Sequence, residues 1–188
     1  MIDSLCDQAA GKNIAVVGLY CDFLGQQEQS SVNMLGAMLK QLSSRGRIPD
    51  HIQEAFQRAK TEFGGRGLRV PDLVEIMKKA VTSLSRVFIC IDALDESTPQ
   101  HRLELLESLQ EIVRVSGNTR IFLTGRPHIE DEIRKSFKKV VRIPISPTQG
   151  DIKRYLEMRL KRDTDHYAMS DELRADIMRV IPENISEV

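Results

Sequence analysis

Net charge is the first thing this sequence lacks. Its 27 Lys and Arg residues are matched by 27 Asp and Glu residues, so the formal charge is zero. Such a chain has no general electrostatic pull toward nucleic acid or an anionic membrane. Long apolar runs are missing as well. None approaches a membrane span, and the amino terminus has neither the basic nor the hydrophobic segment of a secretory signal. Cysteine is sparse: Cys6, Cys21 and Cys90 are odd in number and far apart, and the last two sit inside apolar runs. That pattern suits buried free thiols in a reducing compartment. Four scattered His add no zinc-binding spacing. There is no internal repeat and no low-complexity tract. The expectation is an intracellular, cytoplasmic, soluble protein with no membrane or nucleic-acid partner, 188 residues being enough to bury a real core.

What the sequence does contain is organised around Arg86-Val-Phe-Ile-Cys-Ile-Asp-Ala-Leu-Asp-Glu96. Val87 to Ile91 are five consecutive apolar residues, the pattern of a short strand buried on both faces in a parallel sheet. Asp92, Asp95 and Glu96 follow at its carboxyl end. Ligands of open α/β sheets bind in the crevice beyond the carboxyl ends of the strands. Three carboxylates gathered there repel one another unless a cation or a positively charged partner joins them. Mg²⁺, held through one or two carboxylates plus phosphate oxygens, is a natural occupant. The plainer alternative is that Asp95 to Thr98 cap a helix opening at Pro99.

Around that stretch the elements alternate. Ile2 to Ala10 has helical spacing and stops at Gly11. Ile14 to Cys21 is a second buried strand, ending in Asp22. Ser30 or Ser31 caps a helix with Val32, Leu35, Met38, Leu39 and Leu42 on one face. Pro49-Asp50 opens a helix carrying Ile52, Phe56, Ala59 and Phe63, closed by Gly64-Gly65. Pro71 opens the next, burying Leu73, Ile76, Met77, Ala80 and Leu84. Pro99 to Val115 is a long helix with Leu103, Leu106, Leu109 and Val113 inward. Arg120 to Thr124 is a third strand, followed by Gly125-Arg126-Pro127-His128. A short helix, Ile129 to Phe137, leads to a fourth strand, Val140 to Ile145, in which Pro144 marks an edge or an end. Two further helices span Asp151 to Arg162 and Ser170 to Ile181. The alternation predicts an α/β fold, a parallel sheet with helices on both faces.

The Asp-Ala-Leu-Asp-Glu turn and the Thr-Gly-Arg-Pro turn, at the ends of neighbouring strands, together resemble a P-loop NTPase of the signal-transducing STAND class. Within that class the chain resembles the NACHT domain, and the nephrocystin-like amino-terminal domain common in fungal NACHT proteins. The resemblance includes Tyr20-Cys-Asp-Phe23 and Asn33-Met-Leu-Gly36. It implies that Val87 to Asp92 is a Walker B strand, with Asp92 holding Mg²⁺. It gives Asp95 or Glu96 the polarising of the attacking water, and it makes Thr124 and Arg126 a sensor close to the nucleotide. A plain ion pair between Arg126 and Asp92 or Glu96 is the alternative use of that arginine. The ligands implied are ATP and Mg²⁺, and the partners implied are proteins, further copies of the chain among them.

The same resemblance places a Walker A loop, Gly-x-x-x-x-Gly-Lys-Ser/Thr, just before the first helix. Met1 falls inside that helix, and Gly11-Lys12 follows a helix instead of opening one. Without those amides and that lysine the β- and γ-phosphates lose their cradle. Residues 1–148 therefore resemble a truncated NACHT-like core, with its first strand missing, and 149–188 the start of a helical segment, the whole a piece of a larger protein. Three functions stay open: an ATP-dependent oligomerisation switch, a fragment that keeps the fold for protein contacts, and an unrelated Mg²⁺-dependent phosphohydrolase using Asp92 and Asp95. The reading adopted is a NACHT-type module without its phosphate loop, not competent for ATP hydrolysis by itself. In the P-loop fold the missing strand separates Arg120–Thr124 from Val140–Ile145. The expectation is that the last strand moves over by about one strand spacing, ~4.8 Å, and pairs with the third.

Overall fold

A computed structural model describes residues 2–44, 67–162 and 169–185, together with Glu54, Gln57 and Thr61. The chain divides into two compact units, Met1–Val140 and Val141–Val188. The first is built on a parallel sheet of three strands, β1 (Ile14–Tyr20), β2 (Arg86–Asp92) and β3 (Thr119–Leu123), in the order β1-β2-β3. The central strand is the one whose five-residue apolar run demands burial on both faces. It pairs along its full length with β1, from Ile14↔Arg86 to Tyr20↔Asp92, and with β3 from Val87↔Thr119 to Ile91↔Leu123. Parallel strands in this register end together, which is what makes a common crevice.

One face of the sheet carries Ala15 and Val17, then Val87, Ile89 and Ile91, all buried in the core. Against it lie α2 (Ser31–Ser44), α3 (Val70–Thr82) and α4 (Pro99–Val115). α3 buries Leu73, Ile76, Met77 and Ala80 as its spacing predicts, and adds Val74 and Val81. α2 opens with Ser30 accepting a hydrogen bond from the Asn33 amide at 3.3 Å. Its buried face is Met34, Leu35, Met38 and Leu39, while Val32 is exposed. α1 (Ile2–Ala9) packs on β1 from the other side, with Ile2 Cδ1 only 3.3 Å from where a Gly18 Cβ would stand. Helices thus flank both faces. Gly11, at φ 71°, turns the chain out of α1 into β1, so Gly11-Lys12 is a helix stop.

Three expectations need correction. α4 buries Arg102, Leu105, Leu106, Leu109 and Ile112, so its inward stripe lies one position away from Leu103, which is exposed. The reason is that Arg102, rejected by charge alone, finds an ion-pair partner in the half-buried Glu132. β3 runs one residue earlier than the spacing suggests. The fourth strand does not form: residues 140–148 carry no strand, and β3 has no ladder partner but β2 among the described residues. Val141, Ile143 and Ile145 are exposed instead of paired. Alternating apolar residues favour an extended chain, but a ladder needs a second set of backbone groups, and Pro144 lacks a donor. The helix expected from Pro49 to Phe63 lies, apart from Glu54, Gln57 and Thr61, outside the described residues.

α5 (Glu130–Ser136) follows β3. At the other edge of the sheet, Gly18 N–H donates to Gln41 Oε1 at 2.9 Å and Gln41 Nε2 donates to Gly18 O at 2.7 Å. A side-chain amide of α2 thereby satisfies β1 where a neighbouring strand would. The second unit contains α6 (Gln149–Arg162) and α7 (Asp171–Ile185), packed on each other. α6 opens on a reciprocal pair, Thr148 N–H to Asp151 Oδ2 at 3.0 Å and Asp151 N–H to Thr148 Oγ1 at 3.1 Å. None of the described helices is long and apolar enough to cross a membrane.

Candidate functional site

Beyond the carboxyl ends of the three strands the backbone is stitched crosswise. Cys21 N–H donates to Asp92 O at 3.0 Å, Thr124 N–H to Ile91 O at 2.9 Å, and Leu94 N–H to Thr124 O at 2.9 Å. Between Asp92 and Leu94 the chain makes a left-handed step at Ala93, φ 53° and ψ 45°. A non-glycine residue there costs roughly 1–2 kcal/mol, so its neighbours must hold it. Ala93 N–H donates to Thr124 Oγ1 at 2.9 Å, and Leu94 is fully buried just after it. The step folds the acidic turn back over the ends of β2 and β3. We expect Ala93→Gly to raise stability by up to about 1 kcal/mol in denaturant unfolding, and Ala93→Val to lower it by more than ~1 kcal/mol.

Each acid then has its own donor. Thr124 uses its hydroxyl twice, accepting from Ala93 N–H and donating to Asp92 Oδ1. Asp95 accepts from Arg126 N–H at 3.2 Å and pairs with Arg126 Nε at 3.5 Å. The Asp95 side chain is 7% exposed and that of Arg126 75%. Glu96 Oε2 accepts from Phe23 N–H at 3.1 Å, and its carbonyl accepts from Gln26 Nε2 at 2.6 Å. Asp22, at the end of β1, accepts from Leu24 N–H at 3.1 Å and caps the turn Phe23–Gly25. The cap of α4 is Thr98, which accepts from His101 N–H at 3.4 Å. Asp95 and Glu96 are therefore free of the capping duty that was their plainer reading.

The structure brings all five residues singled out by the sequence to one end of the sheet. Arg126 pairs with Asp95, and not with Asp92 or Glu96. Cys21 reports how the carboxylates converge: burial first, and then the charges of Glu96, Asp92 and Asp95, push its thiol up to about 11. It is a protonated core thiol at neutral pH. Among the described residues no three His, Cys, Asp or Glu side chains form a metal cage by themselves. The donor set is open instead: an exposed Asp92 carboxylate beside a Thr124 hydroxyl. Such hard oxygens suit a cation that keeps most of its water or shares phosphate oxygens, as Mg²⁺ does.

Sequence reasoning missed Arg102, which donates from Nη1 to Ser97 O at 2.9 Å behind the acidic turn. The available signal was its place on the stripe Arg102, Leu105, Leu106, Leu109. It also missed Gln29, whose side-chain amide brackets Asp22 through main-chain N–H and C=O at 3.3 and 2.9 Å. No spacing announces that contact.

A family model described as nephrocystin 3, N-terminal, matches residues 1–126. That span contains β1, β2, β3 and every residue of the site. No curated protein and no solved structure matches the chain.

Proposed function

Because the chain belongs to the nephrocystin 3 N-terminal family, we propose that it is part of a NACHT-type, STAND-class signal-transduction NTPase domain. In this reading the carboxyl end of the sheet is its nucleotide-facing crevice. The observation that carries the proposal is the Thr124 hydroxyl bridging the Asp92 carboxylate and the strained Ala93 amide, with Arg126 paired to Asp95 alongside. Asp92, with Thr124 next to it, would hold Mg²⁺, which when bound neutralises charge on the β- and γ-phosphates. Arg126 is mostly exposed and presents its guanidinium to the same crevice, ready to exchange Asp95 for a phosphate. Of the two candidate bases, Asp95 is screened by Arg126, whereas Glu96 has a neutral donor, the Phe23 amide, and no ion-pair partner among the described residues. Glu96 is therefore the better group to orient and polarise a water.

Residues 1–188 contain no Gly-x-x-x-x-Gly-Lys-Ser/Thr sequence. We propose that they do not hydrolyse ATP by themselves and that their exposed surfaces serve protein–protein contact, including self-association. Titration calorimetry should show Mg²⁺–ATP binding no tighter than roughly millimolar, about −4 kcal/mol. Mn²⁺, a paramagnetic stand-in for Mg²⁺, should broaden backbone resonances of Asp92 and Thr124, and Asp92→Asn should abolish the broadening. Low-micromolar ATP affinity would show that the phosphate loop is dispensable. Broadening that survives Asp92→Asn would remove Asp92 from the metal site.

A further inference from the structure

The reading above leaves unused a deeply buried charge, that of Arg102. Arg102 lies in the first turn of α4, its side chain 5% exposed. A guanidinium in that position is costly unless its donors are met. Nε and Nη2 make a bidentate pair with Glu132, at 2.6 Å to Oε2 and 3.1 Å to Oε1. Nη1 donates to Ser97 O at 2.9 Å and, longer, to Asp95 O at 3.5 Å. Asp95 and Ser97 are main-chain acceptors in the acidic turn after β2. Glu132 is in the first turn of α5, directly behind the segment that follows β3. One side chain therefore ties the acidic turn to the helix that follows the Thr124–Arg126 turn.

The two turns also touch directly at Gly125. A Cβ there would stand 2.6 Å from Ile129 Cδ1 and 3.4 Å from Asp95 Oδ1, so the backbone before Arg126 is pressed against Ile129 and lies in van der Waals reach of the Asp95 carboxylate. Three hydrogen bonds already join the turns at their tips, Leu94 N–H to Thr124 O, Ala93 N–H to Thr124 Oγ1 and Arg126 N–H to Asp95 Oδ1. They leave the far side of the acidic turn, Asp95 to Ser97, to be held from α4. The planar fork of Arg102 adds a second, directional constraint there, because one rigid group must meet a carboxylate on one side and two carbonyls on the other. We infer that Arg102 and Glu132 are positioning residues, setting the turn that carries Asp95 and Glu96 against the turn that carries Thr124 and Arg126. The inference rests on that site reading, since it assigns the pair a role toward those four residues.

The test uses Arg102→Lys, which keeps the charge but not the fork, and Glu132→Gln, which keeps an oxygen for one donor and the more conservative shape. Ile112→Val, in the same helix and away from both turns, serves as a control of lowered stability. Hydrogen exchange is followed by NMR at Leu94, whose amide crosses between the turns, and at Thr124, whose amide crosses from its turn to Ile91 of β2. Both clamp variants should speed exchange at these two amides about tenfold or more relative to the protein's slowest core amides. The control should speed Leu94, Thr124 and the slowest core amides by a similar factor. Unchanged relative exchange at Leu94 and Thr124 in folded Glu132→Gln would overturn the inference and leave the pair as simple ballast for stability. No metal or nucleotide enters this measurement. Failure of the Mn²⁺ experiment with a positive exchange result would sink the nucleotide reading alone, and the reverse result would sink the clamp alone.

Discussion

Leu105→Ala should lower the unfolding free energy by about 2–5 kcal/mol, whereas Leu103→Ala, two positions away, should change it by less than about 0.5 kcal/mol. Leu105 is fully buried and Leu103 is 45% exposed. The first substitution removes a side chain from the middle of the core, where α4 meets α2, α3 and α5. Its cost is the lost transfer free energy plus the cavity that the surrounding Leu, Ile and Met side chains cannot fully close. The second removes a side chain that water already reaches. Thermal unfolding should separate them clearly, at roughly 2–4 °C per kcal/mol for a protein of this size. Equal costs would mean that α4 presents a different stripe to the sheet.

A second large effect is expected in acid. The hydrogen bonds from Arg102 hold the Glu132 carboxyl below its ordinary range, more than burial raises it. A carboxylate whose folded-state pKa is depressed contributes stability that is complete above the unfolded value, about 4.3 for Glu. That contribution is lost as the pH falls through the lower, folded-state value. Stability should therefore be flat with respect to this group from neutral pH down to about 5, and should fall below ~4.3. Glu132→Gln should remove this component of the acid dependence and cost about 1.5–3 kcal/mol at pH 7. The curves of the two proteins should then converge toward low pH. Denaturant midpoints measured from pH 7 to pH 3 would check it, and parallel curves over that range would contradict the pairing.

The contrast between Leu103 and Leu105 shows where a single sequence stops being legible. The α/β alternation, β1, β2, the cap of α2 and the acids Asp92, Asp95 and Glu96 at the end of β2 follow from local pattern, whereas Thr124 and Arg126 enter through the family resemblance. Apolar runs, turn residues and helix spacing are properties of a stretch and its solvent. Arg102 is different, because whether a charge belongs in a core depends on a partner thirty positions later. The choice among three acids for Arg126 is also beyond spacing: the left-handed step at Ala93 turns Asp95 toward it, and nothing marks an alanine for that conformation. The segment Val140 to Ile145 failed in the opposite sense. Its alternation favours extension, but the pairing that would make it a strand is a property of neighbours, not of the segment.

Gln41 gives the sheet a direction of growth. By occupying both backbone groups of Gly18 it plugs the outer side of β1 near its middle. Among the described residues the outer row of β3 has no ladder partner, so a joining strand would find uninterrupted pairing groups there. Two copies meeting through β3 would consume both receptive edges at once, so pairing of that kind terminates at a dimer. A sheet open on both sides would instead pass the next copy along, and the product would be a fibre. One glutamine side chain thus takes a middle rung of β1 away from any strand that would pair there.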